Sequence, residues 1–152
     1  MSLRLYLVQH GQAMSEDENP DRPLTERGGA EVLAVAHHAV TALGVRPARV
    51  LHSGKTRARQ TAEIWADQLG GQAEQADALA PNDDPTVWAG RAGASDDDLM
   101  LVGHLPHLGA VAGLLLTGAA GDAVVAFRPG TVVGLERDQH GWAVRLALPP
   151  PG

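Results

Sequence analysis

The stretch Leu3-Arg4-Leu5-Tyr6-Leu7-Val8-Gln9-His10-Gly11-Gln12-Ala13 decides how the rest of the chain is read. Leu3, Leu5 and Leu7 alternate with Arg4, Tyr6 and Val8, the period of a strand. The run stops at a histidine followed at once by glycine. In open α/β sheets, ligands gather where strands end and the chain turns. Gly11 permits a sharp turn or a close backbone approach to a bound group. A histidine there presents one ring nitrogen outward while a backbone carbonyl holds the other. Taken alone, His10 reads first as the cap of a buried strand.

Working outward, Met14 to Pro23 is polar and acidic and reads as a loop long enough to lie over the end of that strand. Thr25 suits a helix N-cap, and Val32, Ala36, Ala39, Val40 and Leu43 recur at helical spacing until Gly44. His37 and His38 are adjacent on this helix and point about 100° apart, so they read as surface and not as a ligand pair. Arg49-Val50-Leu51-His52 is a second strand, ending at Ser53-Gly54. A helix follows, with Ala58, Thr61, Trp65 and Leu69 on one face and Gly70-Gly71 after it. Its start carries Lys55, Arg57 and Arg59, where cations oppose the helix dipole unless an anion binds. Arg57 is the one singled out for that role; Lys55 and Arg59 read as solvated.

The middle is weakly patterned. Asn82-Asp83-Asp84-Pro85 reads as a loop, Thr86 to Arg91 as a short helix, and Asp96-Asp97-Asp98 as a solvated turn. Leu99-Met100-Leu101-Val102-Gly103-His104 is continuously apolar, the mark of a strand covered on both faces. It too stops at glycine and histidine. Pro106 suits the first turn of a buried helix that includes Leu108, Val111, Ala112 and Leu115. Ala123 to Phe127, Thr131 to Arg137 and Trp142 to Leu148 read as three strands, the last two forming a hairpin. Strands alternating with helices imply a three-layer α/β/α sandwich around a mainly parallel sheet.

A length of 152 residues suits a single domain, 1–152, with a sizeable core. With no cysteine, disulfide and thiolate chemistry are excluded. The formal net charge of −6 argues against nucleic acid as a partner, so an anionic substrate needs a local basic pocket. No stretch is apolar enough to span a bilayer and no signal-peptide pattern opens the chain, which leads to the expectation of a cytoplasmic protein with no membrane partner.

Three strands thus end in His10-Gly11, in Ser53 leading to Arg57, and in Gly103-His104. Side by side in a parallel sheet, their ends bring together two imidazoles and a guanidinium. This suits phosphoryl transfer: a neutral imidazole is a competent nucleophile, and arginine offers a planar fork to phosphate oxygens. Positioning and charge stabilisation do most of the rest. Neither metal nor other cofactor is called for, because nucleophile and charge stabilisers are side chains.

These residues are similar to the motifs of the histidine phosphatase superfamily, with its phosphoglycerate mutase-like fold. Within it, the chain resembles the small bacterial phosphohistidine phosphatases of the SixA type. Gln9-His10-Gly11 stands where the family has Arg-His-Gly. Arg22-Pro23-Leu24-Thr25 matches the Arg-Pro-Leu-Thr element of the small branch. Ser53, Arg57, Ala58, Gln60 and Thr61 match Ser-x-x-x-Arg-Ala-x-Gln-Thr, and His104-Leu105-Pro106 matches the second-histidine motif. The resemblance implies His10 as nucleophile, with Arg57 and His104 as phosphate ligands that stabilise the transition state. Gln9, Gly11, Arg22 and Ser53 become candidate substrate-binding residues, Arg22 reading equally as a plain loop arginine. Asp83 and Asp84 are the nearest candidates for a general acid, and read first as turn formers in a polar loop.

The implied substrate is a phosphorylated protein or a small phosphorylated molecule, with inorganic phosphate as product. The replacement of the family arginine by Gln9 removes a charge and a bidentate donor. It opens a second reading, a catalytically weak phosphate- or phosphoprotein-binding domain.

Overall fold

The computed structural model describes residues 2–121 and 124–151. Ten elements follow one another: β1 (Leu3–Gln9), α1 (Glu26–Ala42), β2 (Arg49–His52), α2 (Thr56–Leu69), β3 (Ala73–Gln75), α3 (Pro85–Gly93), β4 (Leu99–Gly103), α4 (His107–Thr117), β5 (Val132–Asp138) and β6 (Gly141–Leu148). The six strands form one sheet in the order β3-β2-β4-β1-β5-β6. The first four in that order run parallel, while β5 and β6 are antiparallel additions that close as a hairpin.

The alternation in β1 separates two buried faces and not an inside from an outside. Tyr6 and Val8, with Val50, Met100 and Val102, pack against α1 and α2 through Val32, Ala36, Ala62 and Trp65. Leu5 and Leu7, with Leu51, Leu99 and Leu101, pack against α3 and α4 through Trp88, Leu108 and Val111. The sheet is therefore the middle of three layers, as the sequence suggests. Each fully buried leucine contributes roughly 1.5–3 kcal/mol, so Leu7, Leu101 and Leu108 alone outweigh any surface ion pair.

Local signals set the element ends. The Thr25 side chain accepts a hydrogen bond from Gly28 N and caps α1, while Gly70 takes the left-handed conformation that ends α2. The Asp84 side chain caps α3 with Pro85 at its first position. Two departures from the sequence reading stand out. The short edge strand β3 lies in the weakly patterned middle, where three residues paired to β2 leave no period to read. The expected strand over 123–127 is not formed at Val124 to Phe127, and Ala123 lies outside the described residues. The segment pairs with neither outer strand of the sheet, β3 or β6; Val125 and Phe127 pack against the α3/α4 core instead. Among the described residues, no helix is long and apolar enough to cross a membrane.

Candidate active site

Parallel register brings the ends of β2, β4 and β1 to one edge of the sheet. Gln9 pairs with Gly103, and His52 with Val102, so His10, Ser53 and His104 leave three neighbouring strands at nearly the same level. The His10 and His104 rings lie with centroids 5.1 Å apart, tilted by 52°. Ser53 Oγ is 2.7 Å from His104 Nε2.

His10 is anchored by its backbone. Its N–H donates to Gly103 O at 3.0 Å, and the ring Nδ1 lies 2.8 Å from Gly11 O. A carbonyl oxygen only accepts, so Nδ1 carries the proton and Nε2 keeps its lone pair. Burial pushes the His10 pKa down to about 4; the hydrogen bond to Gly11 opposes the shift, and the charges of Arg57 and Arg22 add to it. The imidazole is therefore neutral at pH 7.

Gly11 earns its place by close approach. A Cβ there would stand 2.6 Å from Val32 Cγ2 and 3.3 Å from Leu24 Cδ2. Its N–H donates to Thr61 Oγ1 at 3.0 Å, and that hydroxyl donates to Arg57 O at 2.8 Å. One buried threonine thus ties the turn after the histidine to the first turns of α2. Gln60 does the same for the loop, accepting from Leu24 N at 2.8 Å. Both residues belong to the quoted motif, but the sequence shows their type without their partners. Gly28 has a comparable role that sequence reading missed: a Cβ there would lie 2.1 Å from Gln12 O, so only glycine lets α1 seat the chain just past His10.

Arg57 sits at the start of α2, partly buried, its Nε without a hydrogen-bond partner. Burial and the charge of Arg22 both lower its pKa. Arg22 holds a positive φ of 47° and donates from Nε to Met14 O at 3.1 Å, and its charge is felt at His10 and Arg57. Among the described residues, neither guanidinium has a carboxylate within salt-bridge reach. His104 is 2% exposed, and burial followed by the charges of His10, Arg57 and Lys55 pushes its pKa down to about 3. Lys55, read from sequence as solvated, therefore also acts on this edge.

Gln9 is 9% exposed, and its Oε1 accepts no hydrogen bond. Asp83 and Asp84 are engaged in backbone geometry: Asp83 Oδ2 accepts from Ala80 N, and Asp84 Oδ1 from Thr86 N and the Thr86 hydroxyl. His107, one turn after His104, is 1% exposed, with both ring nitrogens unpartnered and its pKa lowered by burial against the pull of Asp83 and Asp84. Sequence reading passed over it; its only signal is a second histidine one turn after His104 in an apolar helix. His37 and His38 are exposed on α1, as read. Among the described residues, no three His, Asp or Glu side chains are grouped to hold a metal ion.

The sequence profile of the histidine phosphatase superfamily, branch 1, matches residues 5–92, which include His10, Arg22, Ser53 and Arg57. The chain belongs to the histidine phosphatase superfamily. It is 36% identical over 141 residues to an uncharacterized protein of Picosynechococcus sp., covering 88% of this chain and 84% of that one. A protein assigned as phosphohistidine phosphatase SixA from Agrobacterium tumefaciens is 27% identical, with a TM-score of 0.78 over 97% of this chain and 98% of that one. A protein histidine phosphatase SixA solved with tungstate shares the fold, at 23% identity and a TM-score of 0.81, with 97% of each chain covered. The superfamily fold thus places β1, β2 and β4 as the sequence motifs imply.

Proposed function

We propose that the protein is a phosphatase that works through a phosphohistidine intermediate on His10. The observation that carries this reading is the combination at one sheet edge of a neutral imidazole, held with Nε2 unprotonated, and two guanidiniums that, among the described residues, no carboxylate neutralises. Partly buried cations without a partner are costly, and a phosphate dianion between them removes that cost. Superfamily membership supports phosphatase activity, and likeness to SixA proteins supports phosphohistidine on a protein as the substrate class.

In this reading His10 Nε2 attacks phosphorus, and the bond from phosphorus to the leaving nitrogen or oxygen breaks with its electron pair. Arg57, Arg22 and the His104 imidazole stabilise the equatorial oxygens as charge spreads over them. Water then attacks the phosphorus of phospho-His10, releasing inorganic phosphate and restoring the imidazole. Asp83 and Asp84 are committed to backbone hydrogen bonds, so protonation of a poor leaving group has no obvious donor among them. An imidazole leaving group needs that help least, which favours phosphohistidine over an alkyl phosphate.

The second reading, a phosphate-binding domain of low turnover, rests on Gln9, whose amide supplies no charge to the transition state. Rapid quenching with a phosphohistidine peptide tests both. Acid-labile phosphate on wild-type protein, absent from a folded His10→Ala variant that turns nothing over, is the expected result. Turnover retained by His10→Ala would end the nucleophile assignment, and phosphate binding with no covalent phosphate on the wild type would favour the binding domain.

A further inference from the structure

A groove of about 740 Å³ runs between α1 and α2, away from the histidine pair. Its floor is apolar, with Leu24, Leu33 and Ile64, and its rim carries Glu26, Glu63 and Asp67. Leu33 is 46% exposed, large for a leucine set between two helices. Glu63 is met by Arg59 at 3.0 Å, whereas Glu26 and Asp67 have no cation within salt-bridge reach among the described residues. Asp67 sits in the last turn of α2, where the helix dipole favours a cation, so the helix itself gains nothing from this carboxylate.

The groove stops short of the His10 edge, to which Leu24 links it. Leu24 forms its end, and the Leu24 side chain lies 3.3 Å from where a Cβ of Gly11 would stand, next to His10. A ligand lying in the groove therefore points one end at the phosphoryl site. The charges along that path change sign: carboxylates along the helices, then Arg22 and Arg57 at the edge.

We infer that this groove docks a cationic amphipathic helix of the phosphorylated protein substrate, its leucine-type face on Leu33 and Ile64 and its lysines or arginines against Asp67, Glu63 and Glu26. The inference rests on the phosphatase reading above and specifies its substrate as a protein that binds by helix-in-groove contact. The α2 residues that line the groove run from Gln60 to Asp67, so it accommodates about two turns of such a helix. Apolar contact supplies the affinity, and the rim charges select against acidic helices.

Two synthetic helical peptides with the same leucine face, one flanked by lysines and one by glutamates, each ending in a single phosphohistidine, test this with the full chain. Phosphoramidate serves as a small substrate that makes no groove contact. The lysine peptide should show a kcat/KM at least about tenfold above the glutamate peptide. Leu33→Lys and Asp67→Lys should each erase most of that difference and leave phosphoramidate hydrolysis unchanged. Equal use of the two peptides, or a preference that survives both substitutions, overturns the inference. If wild type hydrolyses neither phosphoramidate nor peptide, the phosphatase reading fails by itself. Fluorescence anisotropy with the unphosphorylated peptides then judges the groove: the same order of affinity, lost in both variants, upholds it, and equal affinities end it.

Discussion

The hydroxyl of Ser53 and Nε2 of His104 stand 2.7 Å apart, and this contact joins the end of β2 to the end of β4. Ser53 Oγ also accepts from Lys55 N at 3.3 Å, so the hydroxyl orients both the imidazole and the entry to α2. The other ring nitrogen of His104, Nδ1, is buried without a partner. The ring is therefore held from one side only, by a residue 51 positions earlier in the chain.

Ser53→Ala should remove that single hold. Leaving a buried imidazole nitrogen unpaired costs about 1–3 kcal/mol, and the loosened ring should lower turnover as well. Urea denaturation and steady-state rates on one preparation check both effects. A variant equal to wild type in each would show that the contact does not position His104.

The depressed histidines set a pH dependence. With His10 at about 4, turnover at pH 5.5 should match that at pH 7.5, whereas a nucleophile at 6.5 would lose roughly tenfold. Stability, unlike rate, changes across this range. Between pH 6.5 and about 4 the unfolded chain binds protons that folded His10 and His104 refuse, so acidification destabilises the fold. Each histidine contributes about 1.4 kcal/mol per pH unit in that window, and the loss is absent above it. Denaturation midpoints from pH 7.5 to 4.5 would measure the slope, and His104→Gln should flatten it. A flat profile in the wild type would contradict the burial of both rings in neutral form.

Gln9→Arg places a guanidinium beside the phosphoryl site. If the edge keeps the family geometry, turnover should rise by up to about a hundredfold, the worth of one transition-state stabiliser, with tighter phosphate binding. Rates and phosphate affinity for both forms decide it. A lower rate would mean that the new cation faces the nucleophile and reduces its basicity further.

Gly28→Ala should destabilise the protein by about 1–3 kcal/mol, because the new methyl meets Gln12 O at 2.1 Å and backbone must shift to admit it. Since Gln12 follows the His10-Gly11 turn, turnover should fall with stability. Gly29→Ala is the control: nothing lies within 4 Å of its Cβ, and a helix interior favours alanine. Equal behaviour of the two variants would show that α1 does not seat the His10-Gly11 turn.

Much of the fold was legible in the chain. The unbroken apolar run Leu99 to Val102 marks a strand covered on both faces, and β4 is buried throughout. Thr25 and Gly70 mark helix ends because each acts within a few residues of itself. What needs a partner far along the chain was not legible. β3 forms only by pairing with β2, and the segment 124–127 gives Val125 and Phe127 to the α3/α4 core instead of to the sheet.

The candidate site divides in the same way. By itself the sequence determined which residues are present to do chemistry: His10, Arg57 and His104 each stand at or just after a strand's end, and Gln9 stands where the superfamily has arginine. Only the tertiary structure decided their states. The neutrality of His10 and His104 comes from burial under distant elements and from the charges of Arg22, Arg57 and Lys55. The Thr61 bond to Gly11, the unpartnered His107 and the acidic groove between α1 and α2 likewise arise between segments apart in sequence. Residue type is a local property, whereas desolvation and electrostatic potential sum over whatever the fold brings near, and for that reason the chain carries the first openly and the second only once it is folded.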